Sequence, residues 1–204
     1  MPAQGKTIAP GWEKHIARDW QFFNTPPSTG GRVLVIDYAT LPAGDMAFRY
    51  LSNNTQHELY EPWSSSKIMA FTGALSSQPP ELISGQTLAG DTRLADMITS
   101  INSYAASGKS PDDSNALATY FANVAGRHYL TALFHEKWLQ LADKRIKFRG
   151  AYGPVAFKPA SNTWHVAGTR ISRHVKPVES ASEDPGYSAY LCDDCGLTGN
   201  KPMT

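Results

Sequence analysis

The eight residues "RVLVIDYA", Arg32 to Ala39, place the strongest limit on the fold. A continuous apolar, β-branched run of this length reads as a strand buried on both faces. "LPAGD" follows as a turn. Met46, Phe48 and Tyr50 then alternate with smaller or polar residues, which predicts a second strand and a hairpin ended by Asn53-Asn54. Upstream, Trp12, Ile16 and Trp20 recur every four residues between Pro10-Gly11 and the breaker "NTPPSTGG", the spacing of a short amphipathic helix.

Beyond Pro62 the period changes. Ile68, Phe71 and Leu75 fall at helical spacing, with Met69 and Ala74 beside them, so a largely buried helix is expected over 64–76. "SSQPPELISGQ" ends it. From Thr92 to Leu141 the pattern is helical almost throughout: Leu94, Met97, Ile98 and Ile101 mark one helix, and Leu117, Tyr120, Phe121 and Val124 a second. Asp112 or Asp113 is a natural cap for the second. Leu130, Leu133, Phe134 and Trp138 continue on a third. After Arg149 the chain turns to Gly, Pro, Tyr and Trp with short strand-like pieces such as "WHVAGTRI". The order is helix, hairpin, buried helix, helical insert and irregular tail, an α+β arrangement.

Composition narrows the function. Nineteen basic residues against eighteen acidic ones leave a net charge of +1, without the basic excess of a nucleic-acid or anionic-membrane surface. No apolar run approaches the ~20 residues of a membrane span. "MPAQGKTIAPGW" lacks the regions of a signal peptide. Cys192 and Cys195 have the spacing of a redox pair or of half a zinc site, yet Pro185, Gly186 and Gly196 surround them with loop signals. A closed zinc site needs two further ligands. The six histidines show no metal-binding spacing, so no metal or cofactor is expected.

The chemistry-bearing stretch is "YEPWSSSKIMAFTGAL", where Ser64 and Lys67 stand three residues apart at the head of the predicted buried helix. Residues so spaced share a helix face. A serine hydroxyl needs a neighbour to take its proton before it attacks a carbonyl, and a desolvated lysine can do so. The plain alternative is a capping serine with the lysine in solvent. Against it, an unpartnered lysine on a buried helix is costly.

A hairpin, then a buried helix opening with Ser-x-x-Lys, then a helical insert resembles the serine β-lactamases and penicillin-binding peptidases. The resemblance implies an antiparallel sheet formed over 32–63, a nucleophile helix over 64–76 and an all-helical insert over 92–148, within one domain spanning 1–204. It implies Ser64 as nucleophile and Lys67 as base. The family's Ser-x-Asn motif falls on "PDDSN": Asn115 matches, Asp113 stands in the serine's place, and Ser114 between them is the substitute hydroxyl. No Lys-Thr-Gly triplet is present. "Leu197-Thr198-Gly199" lacks the cation, and His165 stands one place too early before "VAG". The tail over 149–204 is then expected to stop short of that third motif. Glu183, Asp184, Asp193 and Asp194 occupy the region where some members keep a deacylating glutamate. The resemblance further implies a β-lactam or peptidoglycan stem peptide as substrate and a periplasmic or secreted location. The rival expectation is a non-catalytic scaffold of the same shape used for binding.

Overall fold

The computed structural model describes residues 62–103, 113–149, 151–153, 155–180 and 182–184, and the paths of five strands outside them: Ile16–Ala17, Leu34–Thr40, Met46–Ser52, Tyr190–Leu191 and Thr198–Gly199. Contacts divide the chain into two units, Met1–Leu59 and Tyr60–Thr204.

In the first unit the hairpin is present. β2 (Leu34–Thr40) and β3 (Met46–Ser52) pair antiparallel, with Leu34 opposite Ser52 and Thr40 opposite Met46. The expected helix around Ile16 is corrected. Ile16–Ala17 is a strand, β1, parallel to β3 with Ile16 opposite Tyr50. Period-four apolar spacing suits a helix, but the free edge of β3 offers backbone hydrogen bonds that a short extended segment can take.

Among the described residues the second unit holds four helices and a four-stranded antiparallel sheet. The helices are α1 (Lys67–Ser76), α2 (Leu94–Ser103), α3 (Ser114–Ala125) and α4 (Arg127–Ala132), the last running into a π-helical turn at Leu133–Lys137. The sheet strands are β4 (Thr87–Ala89), β5 (Thr92–Arg93), β6 (Thr163–Val166) and β7 (Ser172–His174), in spatial order β5-β4-β6-β7. A separate pair joins β8 (Tyr190–Leu191) to β9 (Thr198–Gly199). This unit's four-stranded sheet is therefore not drawn from 32–63. It comes from Thr87–Ala89, to which the sequence reading gave no element, from Thr92–Arg93, expected to open a helix, and from the tail, where "WHVAGTRI" reads as strand-like. The insert over 92–148 opens on a strand and leaves helix after Lys137.

Local chemistry explains the helix ends. Asp113 caps α3, its Oδ1 accepting from Asn115 N–H at 2.7 Å and Ala116 N–H at 2.9 Å. At α4 the cap comes from far along the chain: Asp184 accepts from Arg127 N–H and from His128 N–H at 3.2 Å. Gly126 joins α3 to α4 at φ +77°, a conformation that costs a side chain-bearing residue about 1 kcal/mol or more. His135 clamps the segment after the π turn, its two ring nitrogens facing Leu141 O at 3.1 Å and Ile146 O at 2.7 Å.

Helix α1 packs on α3 and α4. Its buried residues include Lys67, Ala70, Phe71 and Ala74, an i, i+3, i+4, i+7 stripe. Ile68, expected on the buried face, is 55% exposed. The apolar stripe thus begins with a lysine. Gly73 lets α4 approach closely, since a Cβ there would lie 2.3 Å from Leu130 Cδ2.

The core centres on Trp164 of β6 and Tyr120 of α3, both fully buried. Trp164 Nε1–H donates to Tyr120 Oη at 2.7 Å. Burial pushes the Tyr120 phenol up to about 12, the Trp164 hydrogen bond offsetting part of the rise. Because the folded value lies above the ordinary 10.0, the folded protein holds this proton where the unfolded chain has lost it. The associated stability is fully present below pH 10 and is lost as pH rises toward about 12. Tyr120→Phe is expected to flatten that alkaline fall by roughly 2 to 3 kcal/mol, read from urea unfolding at stepped pH.

Candidate functional site

Residues 62–67 form a tight entry to α1. A 3-10 turn spans Trp63–Ser66, and its following amide, Lys67 N–H, donates to Ser64 O. The expected 64–76 helix is therefore two segments with different windings. Trp63 has φ +48° and is 55% exposed. A bulky residue in the left-handed region costs about 1–2 kcal/mol, and such strain gathers where a neighbouring group must be held at a set angle. The neighbour is Ser64.

The three serines take different positions. Ser64 is exposed, and no described residue hydrogen-bonds its hydroxyl. Ser65 Oγ–H donates to Pro62 O. Ser66 is buried and donates to Trp63 O at 2.7 Å. Its single proton is then committed, so the 2.9 Å contact with Tyr152 Oη has the phenol donating to Ser66 Oγ.

Lys67 is only 3% exposed. Its Nζ donates to Ser114 Oγ at 3.0 Å and lies 5.8 Å from the centroid of the Tyr152 ring. Cation–aromatic contact at this range stabilises an ammonium by about 1 kcal/mol. Ser114 is the first residue of α3. Of the two candidates on "SN", it is Ser114 whose hydroxyl meets the lysine, while Asn115 is exposed and packs toward Gly153. Asp113, in the place of the family's serine, serves as the helix cap.

Two contributors escaped sequence reasoning. Ser66 looked equivalent to its neighbours, and Tyr152 sits in "RGAYGP", where nothing local marks it. Tyr152 is placed from a distance. Its N–H donates to Thr119 Oγ1 on α3 at 3.1 Å, its ring meets Phe148 edge-on at 6.2 Å, and Phe157 N–H donates to Ala116 O at 3.0 Å downstream. The site thus joins the head of α1, the head of α3 and the 148–157 segment.

The remaining candidates go elsewhere. Asp184 caps α4, and Glu183 pairs with Lys176 at 3.0 Å, whose hydrogen bond holds the Glu183 carboxyl below its usual range. His165 lies in β6 opposite Leu88 and Ser172. Cys192, Cys195, Asp193 and Asp194 lie outside the described residues. Among the described residues no group of three or more metal-ligating side chains gathers, and no helix is long and apolar enough to cross a membrane. Comparison with protein-family models, with curated proteins and with solved structures returns no match.

Proposed function

We propose that the chain is a serine-dependent acyl-transfer enzyme of the β-lactamase and penicillin-binding type, with Ser64 acylated and Lys67 as its base. One observation carries the reading: a lysine buried to 3% exposure, hydrogen-bonded to a second serine, one turn after an exposed serine on a strained entry. In the first step Lys67 Nζ takes the Ser64 hydroxyl proton as Ser64 Oγ bonds to the carbonyl carbon. Collapse of the tetrahedral adduct breaks the carbon–nitrogen bond, and the proton returns through Ser114 to the leaving nitrogen. Water then attacks the acyl-serine and frees Ser64. The substrate class is an amide, with a β-lactam or a peptidoglycan stem peptide, and a periplasmic or secreted location, proposed from the resemblance.

A second reading is a scaffold without turnover. The lysine's bond to Ser114 favours it, as does a Ser64 hydroxyl that no described residue hydrogen-bonds. Labelling with a fluorophosphonate, followed by peptide mass mapping, separates the two. The enzyme reading expects the label on Ser64, lost in Ser64→Ala and kept in Ser66→Ala. Unlabelled protein, or label that survives Ser64→Ala, refutes it.

A further inference from the structure

A groove of about 440 Å3 opens beside the core, with Tyr120 and Phe157 among its walls. That volume lies within the range of small-molecule sites. The groove is held open by groups fixed elsewhere. Gly90, at φ +60°, lies so close to the backbone of Ala160 and Ser161 that a Cβ there would sit 2.8–2.9 Å from their nitrogens. Across the groove, Val175 N–H donates to Asn162 O at 2.7 Å and Val178 N–H to Asn123 O at 2.9 Å. The buried Arg127 guanidinium anchors the same segment through Val178 O at 3.2 Å. Preformed walls lower the ordering cost of binding.

Its polar groups are of both signs. Lys176 and Glu183 satisfy one another at 3.0 Å. That leaves Lys158 and Glu179, whose side chains form no ion pair among the described residues, lining the groove with Asn162. One cation and one anion beside an apolar wall of Phe157, Pro159 and Pro177 suit a ligand with a carboxylate, an ammonium and an apolar body.

We infer that this groove is a binding site for a zwitterion of dipeptide size, its carboxylate on Lys158 and its ammonium on Glu179. The inference involves neither Ser64 nor Lys67 and stands apart from the acyl-transfer reading.

The Trp164 indole N–H is the reporter, observed by 15N–1H correlation NMR of the whole chain while the dipeptide Ala-Phe is added. Ala-Phe is expected to shift that resonance saturably. N-acetyl-Ala-Phe, without the ammonium, and Ala-Phe amide, without the carboxylate, each bind about tenfold more weakly, as the loss of one charge-assisted contact implies. Glu179→Gln abolishes the preference over the acetylated peptide and leaves that over the amide. Lys158→Gln does the reverse. Both positions are exposed, so folding is not at stake. Absence of saturation up to about 10 mM, equal binding of the three peptides, or unaltered preferences in the two variants would overturn the inference.

Discussion

Lys67→Met is expected to slow fluorophosphonate labelling of Ser64 by about two to four orders of magnitude, the range that a positioned general base contributes. Methionine keeps the length and apolar stem of lysine and removes only the basic nitrogen. At this position it completes the Ala70, Phe71 and Ala74 stripe with an apolar residue. The substitution also takes from Ser114 Oγ its donor at 3.0 Å, so the melting temperature should fall by at least the few degrees that about 1 kcal/mol represents. The two readouts together carry the argument. A base that has been removed costs rate as well as the Ser114 hydrogen bond. A lysine that only organised the head of α3 through Ser114 would cost stability and spare the rate. Labelling kinetics and thermal unfolding on one preparation decide between them, and an unchanged labelling rate counts against Lys67 as base.

Trp164→Ala should cost about 3 to 5 kcal/mol of stability, the toll of emptying a large aromatic site in a packed core. The indole is fully buried at the centre of the four-stranded sheet, between β4 and β7. Its loss also strips Tyr120 Oη of the donor at 2.7 Å. Tyr120 in turn packs on Phe121 and Phe157, each with ring centroids 5.7 Å away, so the cavity opens at the junction of sheet and helices. Neighbours fixed in the sheet cannot close over it. Trp164→Phe retains much of the volume and should lose less, nearer the ~1 kcal/mol of one net hydrogen bond plus the smaller ring. Guanidinium unfolding followed by far-ultraviolet circular dichroism measures both. A loss below about 1 kcal/mol for the alanine variant would place the core elsewhere.

Where the chain repeats a period over many residues, the sequence alone was enough. The hairpin follows from alternation on either side of "LPAGD", and α2 and α3 follow from apolar residues three and four apart, with Asp113 as a local cap. Ser64, Lys67, Ser114 and Asn115 became candidates through a resemblance carried by the short patterns Ser-x-x-Lys and "SN"; of these the structure joins Lys67 to Ser114 and leaves Ser64 and Asn115 exposed. Pairings between distant segments were not readable. Thr87 meets Val166 and Thr163 meets His174 in strands too short to carry a pattern of their own. Ile16 joins β3 because an edge was open, against its helical spacing. Tyr152 reaches Ser66 and Lys67 from a distant segment that Thr119 and Phe148 help to hold there. Among three adjacent serines, winding decides which hydroxyl is buried: a 3-10 turn advances about 120° per residue and an α-helix about 100°. The choice of winding rests on what α1 must pack against, and that is a property of the folded protein, not of any six residues.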